Sequence, residues 1–118
     1  EDDDVVDRLL CDVVFLEAVG INPVLVHGGG KAISAKMREA GLAARFVNGL
    51  RVTDEASIRI VEEVLDREVN PRLVAAINGL GGRARGFSGR RVLRGEKLPP
   101  VENGEGRAED IGFVGRVT

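Results

Sequence analysis

Tryptophan and tyrosine are absent from this 118-residue chain, and four phenylalanines are its only aromatic residues. That excludes the aromatic platforms on which single-stranded nucleic acids stack. Charge of one sign is also missing: 17 basic residues face 19 acidic ones, for a net charge of −2. No basic field exists to gather DNA or RNA, so nucleic acid is not expected as a partner. A single cysteine, Cys11, forbids an internal disulfide, and no metal-ligand cluster is visible in the sequence. A reducing, cytoplasmic location is expected. Apolar runs fall far short of the roughly 20 residues that span a bilayer, so no membrane role is expected. No signal peptide, internal repeat, low-complexity tract or dividing linker is visible. The composition is that of a small globular unit, or part of a larger one, with 43% apolar and 31% charged residues.

Glycine is plentiful, at 16 residues. Helices and strands alternate around it. Val5, Leu9 and Val13, with Val6, Leu10 and Val14, predict an amphipathic helix with a broad apolar face, ending near Gly20. "PVLV" (23–26) predicts a buried strand in a parallel sheet. A helix over 31–40 carries Ile33, Met37 and Ala40 on one face and stops at Gly41. "NG" inside "RFVNGLRVTD" signals a hairpin. A helix over 54–67 comes next, with Thr53 as N-cap and Ile58, Val61 and Leu65 as its core stripe. "VNPRLVAAIN" then opens another helix, with Asn70 as N-cap and Pro71 at the first helical position. Beyond "GLGG", the segments "RARGFSG" and "RRVLRGEKL" read as short strands with "RGEK" as a turn. "ENGEGRAED" reads as a polar loop and "IGFVGRVT" as a final strand. The alternation indicates a layered α/β fold.

"VLVHGGGKAI" (24–33) places three glycines between the strand and a helix. A helix N-terminus presents unpaired N–H groups and a positive dipole end, and glycines let a phosphate approach the backbone. The plainer reading is a tight strand-to-helix turn. The run lacks the spacing of a dinucleotide fingerprint and of the nucleotide P-loop. An oxyanion-hole "HGGG" requires a Gly-x-Ser-x-Gly elbow and a triad histidine. "GFSGR" (86–90) has glycine on only one correct side of Ser88, and His27 is the only histidine, so this reading is discarded.

"PVLVHGGGKAI", then "FVNGLRVTDE", "VNPRLVAAIN" and "GRARGFSGRR…EDIGFVGRVT", together resemble the acetylglutamate kinases of the amino acid kinase superfamily. The resemblance covers about Val5 to Thr118. It implies a three-layer αβα sandwich with a mostly parallel sheet and a β-hairpin substrate lid. The implied activity is ATP-dependent phosphorylation of the side-chain carboxylate of N-acetyl-L-glutamate, in arginine biosynthesis. Mg²⁺ would be held mainly by the nucleotide phosphates, and homo-oligomers, dimers or hexamers, are usual. Residues 1–118 would be the N-terminal, substrate-binding portion. The family's first strand, with its lysine and paired glycines, and the C-terminal nucleotide-binding half would lie outside it. Such a piece alone is expected to lack kinase activity.

By position, the resemblance assigns Gly29 and Gly30 backbone N–H groups that bind the reacting phosphoryl and carboxylate oxygens, with Gly29 the catalytic donor. Gly28 falls on the nucleotide side. Arg51 would bind the substrate α-carboxylate, for which its planar fork is suited. Asn48, Gly49 and Leu50 would shape the lid. The plainer reading of Arg51 is a solvated hairpin arginine. Lys31 stands where the family often has proline, and would meet a phosphate or solvent. His27 is expected to orient the loop by a hydrogen bond. Cys11 and Met37 are expected in the core, and Arg83, Arg85, Arg90 and Arg91 on a solvated face. Asp54 and Glu55 read as helix-start residues. Two other readings remain: the arginine-binding, kinase-like regulatory domain of an acetylglutamate synthase, and a kinase for carrier-protein-linked aminoadipate or glutamate.

Overall fold

The computed structural model describes residues 3–118. Helix α1 spans Asp3–Ala18, α2 Gly30–Glu39, α3 Glu55–Glu63 and α4 Asn70–Gly79, and a π-helical segment, Val64–Val69, joins α3 to α4. One helical turn, α5, covers Gly89–Val92. The strands are β1 (Phe46–Val47), β2 (Leu50–Arg51), β3 (Gly95–Lys97), β4 (Val101–Glu102), β5 (Ala108–Glu109) and β6 (Gly115–Val117).

Three helices stop the same way. Gly20, Gly41 and Gly81 take positive φ angles of 90°, 73° and 90°. In each case the glycine N–H bonds three residues back and the next N–H five residues back, as in Ile21 to the Leu16 carbonyl. This is the Schellman arrangement, and glycine enters it without Cβ strain.

The core forms where α2 meets α3 and the π-helical segment. Ile33, Met37, Val64 and Val69 are buried there, flanked by Ile60, Val61, Leu65 and Leu73. Of the expected stripe, Val61 and Leu65 pack against this core and Ile58 does not; Val64 lies at its centre. Helix α1 packs on α4, but only through the Leu10 side of its apolar face; Leu10 is buried while Val5 and Leu9 are exposed. Cys11, expected in the core, is exposed, because it sits beside Leu10 on the turn facing away from α4. Met37 is buried as expected.

Residues 23–26 form no strand. Val24 and Val26 are 90% and 89% exposed. A strand inside a parallel sheet needs a neighbour on each side, and none of the described residues pairs with this segment. Strand pairing is antiparallel in all three two-stranded ladders, β1–β2, β3–β6 and β4–β5; one parallel bridge joins Thr53 to Gly112. The architecture is mixed α/β with small sheets.

Several local expectations are corrected. Asp54, not Thr53, caps α3: its carboxylate accepts from the Ser57 N–H at 2.8 Å. Thr53 is buried and its backbone pairs with Ile111 and Phe113. Asn70 caps nothing, for it has helical angles in a continuous helical unit. Pro71 lacks an N–H and its ring crowds the carbonyl four residues earlier; the wider π-helical turn just before it absorbs that mismatch. Residues 83–88 are not a strand, residues 89–92 are a helical turn, and "GEK" is strand β3 rather than a turn. Within the expected loop 102–110, β4 and β5 form a hairpin.

The molecule measures 51 × 33 × 24 Å with a radius of gyration of 16.8 Å; about 13.5 Å suits a compact chain of this length. Its accessible surface, 8774 Å², exceeds the roughly 6,200 Å² of a compact monomer of this mass. Phe15, Ile21, Val24 and Val26 contribute to the excess. No helix among the described residues is long and apolar enough to cross a membrane.

Candidate functional site

The glycine run lies where the extended segment turns into α2. Gly29 is the residue before the helix, with φ −161°, an extended angle. None of Gly28, Gly29 and Gly30 has a positive φ. The backbone conformation therefore does not demand glycine at any of them. Packing demands it at one. A Cβ on Gly29 would lie 2.9 Å from Leu65 Cδ2 and 3.5 Å from Val69 Cγ2, whereas a Cβ on Gly28 or Gly30 would meet nothing within 4 Å. Gly29 is fitted to the core, and its two neighbours face open space.

That space is a cleft of about 550 Å³ between α1, the glycine loop and α4, whose lining includes Leu10, the three glycines, Lys31, Val69 and Arg72. The first turn of α2 opens into it, and no acidic side chain stands in that turn. Lys31 is exposed on the rim; the helix end, Lys31 and Arg72 put positive charge along the cleft, and Asp7 of α1 adds one negative group to its lining. Among the described residues no group of three or more His, Cys, Asp or Glu side chains is placed to hold a metal ion.

The hairpin is the one the sequence predicts. Asn48 and Gly49 have φ of 49° and 78°, and Phe46 pairs with Arg51 and Val47 with Leu50. Two central residues at positive φ match the right-handed twist of the strands. Arg51 points back from β2 toward α2. Its Nη2 donates to Ser34 Oγ at 2.8 Å, and Nη1 reaches Met37 Sδ at 3.3 Å. Nη2 also stands 3.5 Å from the Gly30 carbonyl. The guanidinium carbon lies 4.7 Å from the Phe46 ring centroid, a cation–π contact that holds the plane. Arg51 and the glycine run thus meet at one end of α2. A guanidinium carries five N–H donors, so these contacts leave some for a carboxylate.

The hairpin is pinned from behind. Asn48 Nδ2 donates to the Glu102 carbonyl at 2.8 Å, and Arg45 forms an ion pair with Glu109. The Arg45 contact and a bond from Asn103 hold the Glu109 carboxyl below the usual carboxylate range. At the hairpin's base Thr53 exchanges backbone bonds with Ile111 and Phe113. Asn48 and Gly49 therefore belong to a fastened turn, and Leu50 is exposed on its face.

His27 does what the sequence suggested. Its Nδ1 is 3.1 Å from the Gly28 carbonyl oxygen, and its Nε2 is 3.1 Å from Asn70 Nδ2. Among the arginines expected on a solvated face, Arg83 pairs with Glu17 and Arg90 with Glu62. Ser34, Asn70, Glu102 and Gly112 were not legible as site-supporting residues. Each acts here across a long sequence separation, which the local patterns around it do not reveal.

The amino acid kinase family model matches residues 1–117. The chain is 49% identical over 117 residues to an acetylglutamate kinase of Akkermansia muciniphila, covering 99% of this chain and 39% of that protein. It is 47% identical over 108 residues to an acetylglutamate kinase of Thermoanaerobacter sp., covering 90% and 34%. With one from Sphingopyxis alaskensis it shares 48% over 110 residues, covering 88% and 36%. The chain thus spans well under half the length of the relatives it matches.

Proposed function

Since the chain belongs to the amino acid kinase family, we propose that its full-length protein phosphorylates the side-chain carboxylate of N-acetyl-L-glutamate with ATP, as a step of arginine biosynthesis. In this reading the present residues supply the acetylglutamate-binding half. The observation that carries it is the meeting of Arg51 with a glycine run whose outer glycines no backbone or packing need explains.

Phosphoryl transfer to a carboxylate brings two anions together. The protein's part is positioning and charge stabilisation. The Gly29 and Gly30 N–H groups are fixed donors at the positive end of α2. They bind the transferring phosphoryl and carboxylate oxygens without reorganising, and a comparable donor contributes on the order of 3 kcal/mol to barrier lowering. Gly28 lies on the nucleotide side. Arg51 grips the substrate α-carboxylate with its fork, and Asn48, Gly49 and Leu50 shape the cover over it. A carboxylate nucleophile needs no general base, which fits a histidine engaged in hydrogen bonds on both ring nitrogens. ATP arrives with Mg²⁺, which would be held mainly by the nucleotide phosphates.

The same reading gives the whole protein a three-layer αβα sandwich, in which residues 23–26 become a strand flanked by neighbours, and a dimeric or hexameric state. The deciding experiment is ADP release by the full-length protein with N-acetyl-L-glutamate and Mg·ATP. Turnover dependent on acetylglutamate supports the proposal. Arginine binding by calorimetry without turnover would favour a regulatory domain of a synthase. Activity confined to carrier-linked aminoadipate or glutamate would favour the sister kinase.

A further inference from the structure

We propose that Asn70 is a positioning residue for the glycine loop, acting through His27, and that the π-helical segment serves to aim it. The inference rests on the phosphoryl-transfer reading above.

The hydrogen bonds run in one direction. The Gly28 carbonyl can only accept, so His27 Nδ1 carries the ring proton. Nε2 is then an acceptor, and Asn70 Nδ2 donates to it. Only the neutral ring protonated on Nδ1 makes both bonds at once, so together they select one tautomer. The Gly28 carbonyl belongs to the same planar peptide unit as the Gly29 N–H. Fixing the carbonyl fixes the direction of the donor assigned to the phosphoryl group.

Asn70 has little freedom to turn away. It is half-buried, and a Cβ built on Gly86 would lie 2.1 Å from its Oδ1. Bare Gly86 admits the amide and walls it in. Asp66, one turn earlier, accepts from Ser88 Oγ at 2.7 Å, which ties the 86–88 segment against the same helical face.

The helix phase explains the aim. Leu65 and Val69 pack on Gly29 from within the π-helical segment. Each extra residue in a widened turn rotates the downstream helix by about 100° relative to an uninterrupted α-helix. Leu65 and Val69 press on the loop and the residue after them reaches His27, so the segment sets the phase of Asn70 relative to α3.

The test uses the full-length protein with N-acetyl-L-glutamate and Mg·ATP. Asn70→Ala should lower kcat by roughly 10- to 100-fold, the scale of a misplacement near 1 Å. KM for acetylglutamate should stay within about threefold, since Arg51 is untouched. His27→Ala should fall similarly, and the double variant no further than the worse single one, because both break one chain of bonds. ¹⁵N NMR of the imidazole should show His27 protonated on Nδ1, and Asn70→Ala should lose that signature. If Asn70→Ala does not fold, Gly86→Ala, which pushes the amide from the far side, should lower kcat and shift the tautomer alike. Protonation of His27 on Nε2 in the unaltered protein, additive losses in the double variant, or an unchanged kcat in Asn70→Ala each overturn the proposal. The NMR readout needs no turnover. An Asn70-dependent Nδ1–H signal in a protein without kinase activity upholds the clamp and sinks the kinase reading.

Discussion

Exchanging Gly30 for alanine separates ligand contact from chain geometry at this loop. Gly30 is the first residue of α2, its φ is not positive, and a Cβ there meets no atom within 4 Å. Alanine in a helix is favoured over glycine by roughly 0.5–1 kcal/mol. If the glycine were a turn device, Gly30→Ala would be neutral or stabilising and the enzyme unharmed. If the Gly30 N–H meets the reacting oxygens, the new methyl occupies the approach path. Loss of one such donor contact is worth on the order of 3 kcal/mol, or roughly 100-fold in kcat/KM. The prediction is therefore of opposite signs: an unchanged or higher Tm together with about a 100-fold loss of activity in the full-length protein. Thermal melts and steady-state kinetics on the same preparation measure both. Activity within twofold of the unaltered protein would refute the reasoning and return the glycine run to a simple turn. Gly29→Ala is the poorer probe. Its Cβ would press on Leu65 at 2.9 Å, so about 1–3 kcal/mol of overpacking strain would accompany any loss of activity.

Arg51→Lys should raise KM for acetylglutamate by roughly ten- to 100-fold, from 1.5–3 kcal/mol of lost charged hydrogen bonding; an unchanged KM removes Arg51 from the substrate site. The Asp54 carboxyl is held below its ordinary value of 3.8 by the Ser57 N–H and hydroxyl. Its folded pKa is depressed, so its contribution is complete above the unfolded value and is lost as pH falls through the folded one. Asp54→Ala should accordingly lower Tm at pH 7 and leave a smaller difference near pH 2–3; an equal difference at both would refute the cap. Gly82→Ala should cost about 1–3 kcal/mol in denaturant melts, since its Cβ would lie 2.7 Å from Ile77 Cγ2 and 3.0 Å from Val14 Cγ2; no cost would mean α1 and α4 are not packed as described.

The features legible in the sequence were local. "NG" specified a turn whose two residues take positive φ, and the glycines at 20, 41 and 81 marked helix ends, because in both cases the determinant is a residue's own conformational freedom. The features it obscured depend on distant chain. Residues 23–26 have a strand's composition, yet pairing is a property of neighbours, and they have none here. "NP" reads as a helix start by local rule, but the core contacts of Val64 and Val69 carry the helix straight through it. The capping role moved from Thr53 to Asp54 because Thr53 is claimed by pairing with residues 111 and 113. At the site, the glycine run and Arg51 were both visible. Their convergence through Ser34, and the tether of Asn70 to His27, were not.

The bare extended segment also sets an order of events. Hairpin β1–β2 and the α3–π–α4 unit are built from near neighbours in sequence and can form early. In the proposed whole protein, residues 23–26 would gain backbone partners only when neighbouring strands arrive, and the peptides proposed to bind phosphate follow directly on that segment. The loop that would handle a reactive phosphoryl group is thus among the last parts to become rigid. A half-folded chain could hold neither nucleotide nor acceptor in reacting geometry. Pulse-labelled hydrogen exchange during refolding of the full-length protein should show the amides of residues 24–29 protected after those of α3 and α4. Simultaneous protection would show that the loop needs no such escort.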